Sequence, residues 1–491
     1  MTLPPSDFAR SATAGPLAIG SFVAGRWTVA GDAAEVGRPL DDRSTDERPT
    51  EDRLPDDRST DDRPTDDRPA AAGWAALHSA IDGRVVARAS TATIDFEEAL
   101  AFARERGRAG LMALDFQQRA ARLRALARWL LERKEVLYQG AAEPGATRSD
   151  SWIDIEGGIA TLSAYAATGA SDLPSGNVVH EGPVVPLGRK GGFVGSHILV
   201  PRAGVAVHIN AFNFPVWGML ENFAPTFVAG MPCLVKPATS TSFLAFACAR
   251  LMVDSGILPE GALQLVIGNA ANLLDRLGGQ DVVKLTGSAT TAAKLRTHPN
   301  LVARGVTFSA EADSLNCAIL APDVEPDHPE FGLFIDEVVL ETTVKAGQKC
   351  TAIRRVLVPR RHLDVVTERL RQAFAATVVG DPAVDGVRMG PLASRAQQDS
   401  VAAQVARLAA EAELVIGGRR GGQDGFAVRG EGVVNGAFFE PTLLLARDPH
   451  SARGVHDIEA FGPVTTAMPY VEIEEAIALA ARGRGSLVGS V

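Results

Sequence analysis

The stretch Gly204–Ser240, GVAVHINAFNFPVWGMLENFAPTFVAGMPCLVKPATS, contains the pattern that decides the fold. A short β-branched run, GVAVHIN, is followed by the helical pattern VWGMLENFAPTFVAG and then by a second apolar run, PCLVKPA. This order predicts a strand, a helix and a second strand. Because a helix joins them, the two strands are expected to lie parallel in one sheet.

The same alternation continues along the chain. The runs LQLVIG and DVVKLTGS predict further strands, and each is followed by a helical segment. A second α/β unit begins after VTFSAEADSLNCAIL and continues to Val491. Because 491 residues exceed one ordinary core, we predict an α/β protein with two doubly wound, Rossmann-like domains, residues 1–310 and 311–491.

Charge and cysteine content argue against several classes of protein. The formal charge is −10, and a nucleic-acid-binding surface needs a basic face, so no nucleic-acid partner is expected. No signal-peptide pattern and no run of about 18 apolar residues occurs, so neither export nor a membrane span is expected. The cysteines are widely spaced without a C-x-x-C pair, which is typical of a cytoplasmic protein without disulfides or a metal site: Cys233, Cys248, Cys317 and Cys350.

Residues 41–69, DDRSTDERPTEDRLPDDRSTDDRPTDDRP, form a charged five-residue repeat. The repeat has 12 acidic and 6 arginine side chains, and Leu54 is its one large apolar residue. Such a segment buries too little surface to offset the entropy of ordering, so we predict a disordered insert between two strands. Docking of a basic partner is the alternative.

Residues 177–201, NVVHEGPVVPLGRKGGFVGSHILVP, are rich in glycine and β-branched residues. This composition predicts an extended hairpin over about 175–200. A hairpin that projects from a domain indicates a contact between subunits.

Two predicted strand ends carry residues suited to a nucleotide. CLVKPATS places Lys236 and Thr239 after one strand, and VVKLTGSATT places Thr286, Gly287 and Ser288 between another strand and a helix. A Gly-Ser turn at a helix N-terminus presents backbone N–H groups to a phosphate. No G-x-G-x-x-G motif follows a predicted strand, so the spacing alone leaves an ordinary strand-to-helix turn as the alternative.

Three polar side chains outside these turns are candidates for chemistry. Asn213 lies between two phenylalanines before a proline, where its amide could face a carbonyl group or cap the next helix. Glu311 lies among alanines in FSAEADSLN, where partial burial would make it a usable base, and a solvated loop acid is the alternative. Glu459 in DIEAFGPV is unremarkable by itself.

Cys350 differs from the other cysteines because VKAGQKCTAIRR, residues 344–355, has the composition of a loop. A backbone-lined, basic environment beside Lys349 is expected to lower the pKa of the thiol and favour a nucleophilic thiolate. A buried filler, a redox thiol and the nucleophile of a cysteine hydrolase remain alternatives from the residues alone.

Taken in order, NAFNFP, VKPATS, LTGS, EADS, GQKCTA and EAFGPV resemble six motifs of the aldehyde dehydrogenase superfamily. The resemblance extends from VAGRW, residues 23–27, to the last residue, with the acidic repeat as an insert. It implies a cofactor-binding domain over residues 1–310, a catalytic domain over residues 311–491 and an oligomerisation hairpin.

The resemblance also implies roles for the candidate residues. Cys350 would attack the aldehyde to form a thiohemiacetal, the Asn213 amide and the Cys350 N–H would hold the oxyanion, and Glu311 would activate water against the later thioester. Implied cofactor contacts are Lys236 and Thr239 at the adenosine ribose, Gly287 and Ser288 at the pyrophosphate, and Phe212, Glu459 and Phe461 around the nicotinamide. Thr239 stands where many NAD-using relatives have a glutamate, which favours NADP over NAD.

INAFNFPVWG, FSAEADSLN, VKAGQKCTAIRRVLVP and ARGRGSLVGSV resemble one branch of that superfamily. Its members oxidise CoA-linked semialdehydes in aerobic benzoate degradation, and the aldehyde dehydrogenase half of the phenylacetate ring-opening enzyme is similar. The resemblance implies a CoA-thioester aldehyde as substrate. Phenylacetate-pathway semialdehyde oxidation and a non-catalytic nucleotide-binding relative are the alternatives.

The family's chain continues past the point that matches GSLVGSV, adding a strand that reaches a neighbouring subunit. The expectation is therefore a chain truncated at its C-terminal end, with a homodimer or higher homo-oligomer if that end were complete.

Overall fold

The computed structural model describes residues 16–28, 74–90, 93–270, 272–422 and 425–491. The predicted disordered repeat over residues 41–69 lies outside the described residues. No helix in these ranges is long and apolar enough to cross a membrane.

Strands and helices alternate along most of the described chain. The strands are β1 (Leu17–Ile19), β2 (Ser21–Val23), β3 (Arg26–Thr28), β4 (Trp74–His78), β5 (Val85–Ser90), β6 (Val179–Pro186), β7 (Val194–Leu199), β8 (Ala206–Ile209), β9 (Cys233–Lys236), β10 (Leu263–Leu265), β11 (Val282–Thr286), β12 (Thr307–Glu311), β13 (Cys317–Ile319), β14 (Arg355–Pro359), β15 (Glu413–Ile416), β16 (Thr442–Leu445), β17 (Val464–Tyr470) and β18 (Gly489–Ser490). The α-helices are α1 (Phe96–Phe102), α2 (Arg108–Met112), α3 (Phe116–Leu131), α4 (Lys134–Ala141), α5 (Arg148–Trp152), α6 (Gly158–Asp172), α7 (Trp217–Val228), α8 (Ser242–Asp254), α9 (Ala289–Arg296), α10 (Pro299–Arg304), α11 (Pro329–Thr343), α12 (Leu363–Ala376), α13 (Arg395–Leu408) and α14 (Ile473–Ala481).

The first large sheet has the strand order β12-β11-β8-β9-β10-β2-β3. Its first five strands are parallel, as the alternating pattern predicts, and β2 and β3 add an antiparallel hairpin at one edge. The chain runs from β8 outward through β9 and β10, then returns to place β11 on the other side of β8. The gap between the ends of β8 and β11 is therefore the topological switch point, where open α/β sheets bind ligands.

The two faces of this sheet are covered by helices. The strand runs are buried because both faces pack against apolar helix stripes, and the core on one face is dominated by large aromatic residues of α7 and α8: Phe223, Phe227, Phe243 and Phe246. The α1 helix packs on the opposite face with Phe96 and Leu100. The parallel sheet with helices on both sides confirms the predicted doubly wound α/β class.

The second large sheet has the order β15-β16-β17-β14-β13-β18. All neighbouring pairs are parallel except β15 with β16. The chain leaves the first sheet at Glu311 and enters the second at Cys317, so the short link EADSLN connects the two. The division into domains at residues 310 and 311 remains a prediction, and the link lies at that position.

Strands β6 and β7 form the antiparallel hairpin predicted for residues 175–200. The hairpin is exposed along most of its length, and it carries large apolar side chains on its surface: Val184, Val185, Leu187, Phe193, Ile198 and Leu199. An exposed apolar surface of this kind is typical of an interaction site.

Asp281 fixes the start of the strands that meet at the switch point. Its carboxylate is almost fully buried and accepts hydrogen bonds from the backbone N–H groups of Val205 and Gly278, each at 2.7 Å. The Arg104 guanidinium lies 2.5 Å from the same carboxylate. One side chain therefore joins the entries to β8 and β11.

Replacing Asp281 with alanine is expected to lower the free energy of unfolding by about 3 kcal/mol, because it leaves two buried N–H groups and a guanidinium without their acceptor. Urea denaturation followed by circular dichroism measures the effect. Asp275→Ala is the matched control, because the Asp275 side chain is 62% exposed and faces only His298 at 3.5 Å. Equal losses in both variants would contradict this role of Asp281.

Candidate active site

The candidate residues converge at the switch point of the first sheet. Phe212 and Asn213 follow β8, whereas Gly287 and Ser288 follow β11. Glu311 ends β12 and lies opposite Thr286 in the parallel register. Because parallel strands end at the same edge of the sheet, residues nearly a hundred positions apart face one cleft.

The loop of Cys350 enters this cleft from the end of α11. Three consecutive residues have left-handed backbone conformations, with φ of 55° at Lys345, 52° at Ala346 and 67° at Gly347. A Cβ atom at Gly347 would lie 2.1 Å from the Gly462 carbonyl oxygen, so only glycine fits there. Gln348 closes the loop by donating from its side chain to the Lys345 carbonyl oxygen at 2.9 Å.

The Glu311 carboxylate approaches the Cys350 thiol closely enough for its negative charge to act on the thiol. Burial, the charge of Glu311 and the nearby Glu221 raise the pKa of Cys350 to about 12. The expectation of a lowered thiol pKa is therefore wrong. Lys349 does not supply the expected positive charge, because its ammonium pairs with Glu341 at 2.5 Å.

The arrangement of Cys350 and Glu311 places a carboxylate next to a thiol. The raised pKa keeps the thiol protonated at rest, and the Glu311 carboxylate lies near it as a possible acceptor for the proton. The predicted nucleophile and the predicted base are thus close together, although they are 39 residues apart in the sequence.

Asn213 lies beside the cysteine loop and is nearly buried. Its side-chain amide donates to the Gln348 carbonyl oxygen at 3.0 Å, which leaves the second amide N–H for another acceptor. The capping alternative for Asn213 is wrong, because the N–H groups of Val216 and Trp217 instead donate to Asp154 at 3.1 and 2.8 Å.

Asn316 supports the cysteine loop from the other side, and the sequence did not single it out. Its amide donates to the carbonyl oxygens of Cys350 and Ala352 at 2.8 and 3.0 Å. Its own oxygen accepts from Ser314 and from the backbone N–H of Val488. Asn316 therefore links the loop to the last described strand.

Glu459 and Phe461 reach the same cleft from the turn before β17. The Glu459 carboxylate accepts from the Ser314 N–H at 3.1 Å, and its pKa is raised by burial. The rings of Phe212 and Phe461 meet edge to face, with centroids 5.9 Å apart. The structure thus brings these three predicted nicotinamide contacts close to Cys350.

The predicted adenosine and pyrophosphate contacts follow β9 and β11. Lys236 is the last residue of β9, and Thr239 begins the short 3-10 helix that precedes α8. Gly287 donates its N–H to the Glu311 carbonyl oxygen at 3.0 Å, and Ser288 caps α9 by accepting from the Thr291 N–H at 3.2 Å.

The N-terminus of α9 also holds an acid that the sequence did not single out. The Asp313 carboxylate accepts from the Ala289 N–H at 2.8 Å. Two backbone N–H groups of the Gly-Ser turn are therefore already paired, and the phosphate role of Gly287 and Ser288 remains a prediction.

A second carboxylate near the thiol, that of Glu221, was missed. The indole N–H of Trp217 donates to it at 2.5 Å, and burial followed by the charge of Glu311 raises its pKa. Glu221 lies within a predicted helix pattern, where helical spacing alone does not separate a cleft residue from a surface residue.

Comparisons with known proteins agree with the motif order. The family model described as Aldehyde dehydrogenase family matches residues 72–491. The chain is 46% identical over 418 residues to the 3,4-dehydroadipyl-CoA semialdehyde dehydrogenase of Aromatoleum evansii, covering 85% of this chain and 80% of the relative.

Solved structures of aldehyde dehydrogenases share the fold. Betaine aldehyde dehydrogenase from Staphylococcus aureus in complex with NAD+ aligns with a TM-score of 0.74 at 21% identity, covering 97% of this chain and 82% of the other. Aldehyde dehydrogenase C from Pseudomonas syringae, with NAD+ and octanal, aligns with a TM-score of 0.69 at 24% identity, covering 83% of this chain and 78% of the other.

Replacing Glu311 with glutamine is expected to speed alkylation of Cys350 by iodoacetamide at pH 8 by about tenfold, because removing an adjacent negative charge lowers a thiol pKa by roughly one unit. Mass spectrometry of the Cys350 peptide measures the rate. Glu325→Gln is the control, since that carboxylate is exposed and pairs with Arg361 on the surface. Slower alkylation in Glu311→Gln would contradict the raised thiol pKa as the controlling effect.

Proposed function

The chain belongs to the aldehyde dehydrogenase family, and we propose that it oxidises a CoA-linked semialdehyde to the carboxylic acid with NADP as the oxidant. The proposed substrate is 3,4-didehydroadipyl-CoA semialdehyde, in aerobic degradation of benzoate. The observation that carries the activity is the approach of the Glu311 carboxylate to the Cys350 thiol beside the Asn213 amide. The observation that supports the substrate is the 46% identity to the Aromatoleum evansii enzyme of that name.

The first step is attack of the thiol on the aldehyde carbon. Glu311 accepts the proton of the Cys350 thiol, and the sulfur forms a thiohemiacetal. The remaining Asn213 amide N–H and the Cys350 backbone N–H stabilise the oxyanion, each by about 3 kcal/mol. These N–H groups stabilise a negative charge on the aldehyde oxygen that forms only after the sulfur has attacked.

The residues of the cleft suit a nicotinamide nucleotide. The buried Glu459 carboxylate, whose Oε1 faces Arg354 Nε at 3.5 Å, is a suitable acceptor for a ribose hydroxyl group. The aromatic pair Phe212 and Phe461 offers an apolar wall beside it. A bound nicotinamide supplies the acceptor for the hydride.

The second half of the reaction releases the acid. Once the hydride has left the thiohemiacetal, Cys350 carries a thioester. Glu311 first releases the thiol proton to solvent, then accepts a proton from a water molecule that attacks the thioester carbon, and this proton passes to the departing sulfur to regenerate the thiol. One carboxylate therefore serves both halves, first as acceptor of the thiol proton and then as base for water.

NADP is proposed over NAD because of the residues after β9. Lys236 brings a positive charge to this strand end, and Thr239 is neutral. A ribose 2′-phosphate is favoured by a cation and is rejected by a nearby carboxylate. For the assembly we propose a homodimer or higher homo-oligomer that buries the apolar surface of the β6–β7 hairpin.

Cys350→Ala is expected to abolish formation of reduced nicotinamide with the semialdehyde, because the thioester of the proposed reaction forms on the Cys350 sulfur. Absorbance at the reduced-nicotinamide band measures turnover, and a nucleotide titration followed by tryptophan fluorescence shows whether the cofactor still binds. Cys317→Ala is the control, because Cys317 lies on buried strand β13. Unaltered turnover in Cys350→Ala would refute the mechanism.

Thr239→Glu is expected to reverse the nucleotide preference by raising the KM for NADP at least tenfold, since a carboxylate repels the 2′-phosphate. The KM for NAD is expected to change little or to fall. Thr239→Gln is the matched control of similar size without charge. Equal KM values for NADP in the two variants would show that Thr239 does not face the 2′ position.

A further inference from the structure

Arg354 lies behind the cleft and has no role in the reaction proposed above. Its side chain is 3% exposed, which is exceptional for an arginine. An arginine at this depth has to be held by several acceptors, because a buried guanidinium without partners is strongly unfavourable. The hydrogen-bond partners of Arg354 therefore indicate its role.

The guanidinium joins the two loops of the candidate site. One terminal nitrogen donates to the Gly462 carbonyl oxygen at 2.7 Å, and the other donates to the Gly347 carbonyl oxygen at 2.7 Å. The second nitrogen also donates to the Lys349 carbonyl oxygen at 3.4 Å. The first contact is with the turn of Glu459, whereas the others are with the loop that carries Cys350.

The same guanidinium faces Glu459. Arg354 Nε and Glu459 Oε1 are 3.5 Å apart, and both side chains are buried. Burial raises the pKa of Glu459, and the charge of Arg354 opposes that rise. The Arg354 guanidinium also lies 5.5 Å from the centre of the Phe461 ring.

We propose that Arg354 is a positioning residue that holds the Cys350 loop and the Glu459–Gly462 turn against each other, so that one guanidinium sets both the nucleotide contact and the environment of the nucleophile. The inference rests on the proposed role of Glu459 in binding the nicotinamide nucleotide. The planar fork of arginine is required, because a lysine ammonium cannot donate in two fixed directions and face a carboxylate at the same time.

Arg355 provides the contrast within the same sequence. It is also fully buried, and it donates to the carbonyl oxygens of Leu315, Leu479 and Ala480, each within 3.0 Å. These contacts join α14 to the second sheet, away from Gly347 and Gly462. The two adjacent buried arginines therefore have different partners, and of the two guanidinium groups it is that of Arg354 that contacts the Gly347 and Gly462 carbonyl oxygens.

The experiment compares Arg354→Lys, Arg354→Met and Glu459→Gln with the control Arg355→Met in the full chain. The dissociation constant of NADP is measured by fluorescence titration, and the pH midpoint of Cys350 alkylation is measured without nucleotide. Thermal unfolding reports the general loss of stability in each variant.

Arg354→Lys is expected to weaken NADP binding about tenfold, the loss expected when hydrogen bonds of a charged group are removed. Its alkylation midpoint should stay near that of the wild type, because the positive charge remains. Arg354→Met should weaken binding similarly and raise the midpoint by roughly one pH unit, because a cation that favours the thiolate is lost. Arg355→Met should unfold at lower temperature with both values unaltered.

The most informative measurement is whether the effects of Arg354→Lys and Glu459→Gln on the NADP dissociation constant multiply in the double variant. If Arg354 acts through Glu459, the dissociation constant of NADP for the double variant Arg354→Lys with Glu459→Gln is no larger than the larger of the two single-variant values. Multiplied effects on the dissociation constant would overturn the proposal, as would wild-type binding in Arg354→Lys or equally weakened binding in Arg355→Met.

Failure of the proposed nucleotide role of Glu459 has a separate signature. In that case Glu459→Gln alone binds NADP as the wild type does, and the proposed cofactor contact is wrong. The alkylation midpoint of Arg354→Met still tests whether Arg354 sets the environment of Cys350, and an unshifted midpoint overturns that part.

Discussion

The backbone of the loop that carries Cys350 packs directly against the backbone of the turn at Gly462. The position of Gly347 leaves no room for a side chain, and Lys345 and Ala346 adopt left-handed conformations that cost roughly 1–2 kcal/mol each. This strain persists because the loop is held by hydrogen bonds from Gln348, Asn213 and Arg354. The nucleophile is therefore placed by fixed backbone contacts rather than by its own side-chain packing.

Most of the fold follows from local patterns. Alternating buried strands and helices dictate a parallel sheet, and the chain from Gly204 to Glu311 forms it. The helical segment predicted after LQLVIG is wrong, because the described residues between β10 and β11 form only the 3-10 turn Leu274–Arg276. The exposed hairpin could also be predicted, because its composition differs from that of a buried strand. The order of the strands in the second sheet was not predicted, since apolar runs indicate a strand without indicating its neighbours.

The predicted site residues lie at one edge of the sheet where strand ends determine their position. Phe212, Asn213, Gly287, Ser288 and Glu311 each follow or end a parallel strand, so the topology alone places them at one edge. Residues that act through long-range contacts were missed. Arg354 meets Gly462 across 108 positions and Asp154 meets Val216 across 62. A local sequence pattern cannot indicate contacts between residues so far apart in the chain.

The charges around the Cys350 thiol could not be predicted from the residues next to it in the sequence. Lys349 is next to Cys350 in the chain but pairs with Glu341, whereas Glu311 and Glu221 approach from other elements. The excess of carboxylates keeps the thiol protonated at rest, which protects a partly buried cysteine from oxidation, since the thiolate is the reactive form.

In the proposed reaction, the same arrangement favours the states after attack over the resting thiolate. Burial and nearby carboxylates oppose negative charge on the Cys350 sulfur, whereas the proposed donors, the Asn213 amide and the Cys350 N–H, would stabilise negative charge on the aldehyde oxygen. Attack moves charge from a place where it is unfavourable to one where N–H groups await it. The geometry therefore stabilises the state after attack more than the resting thiolate, which is the condition for catalysis.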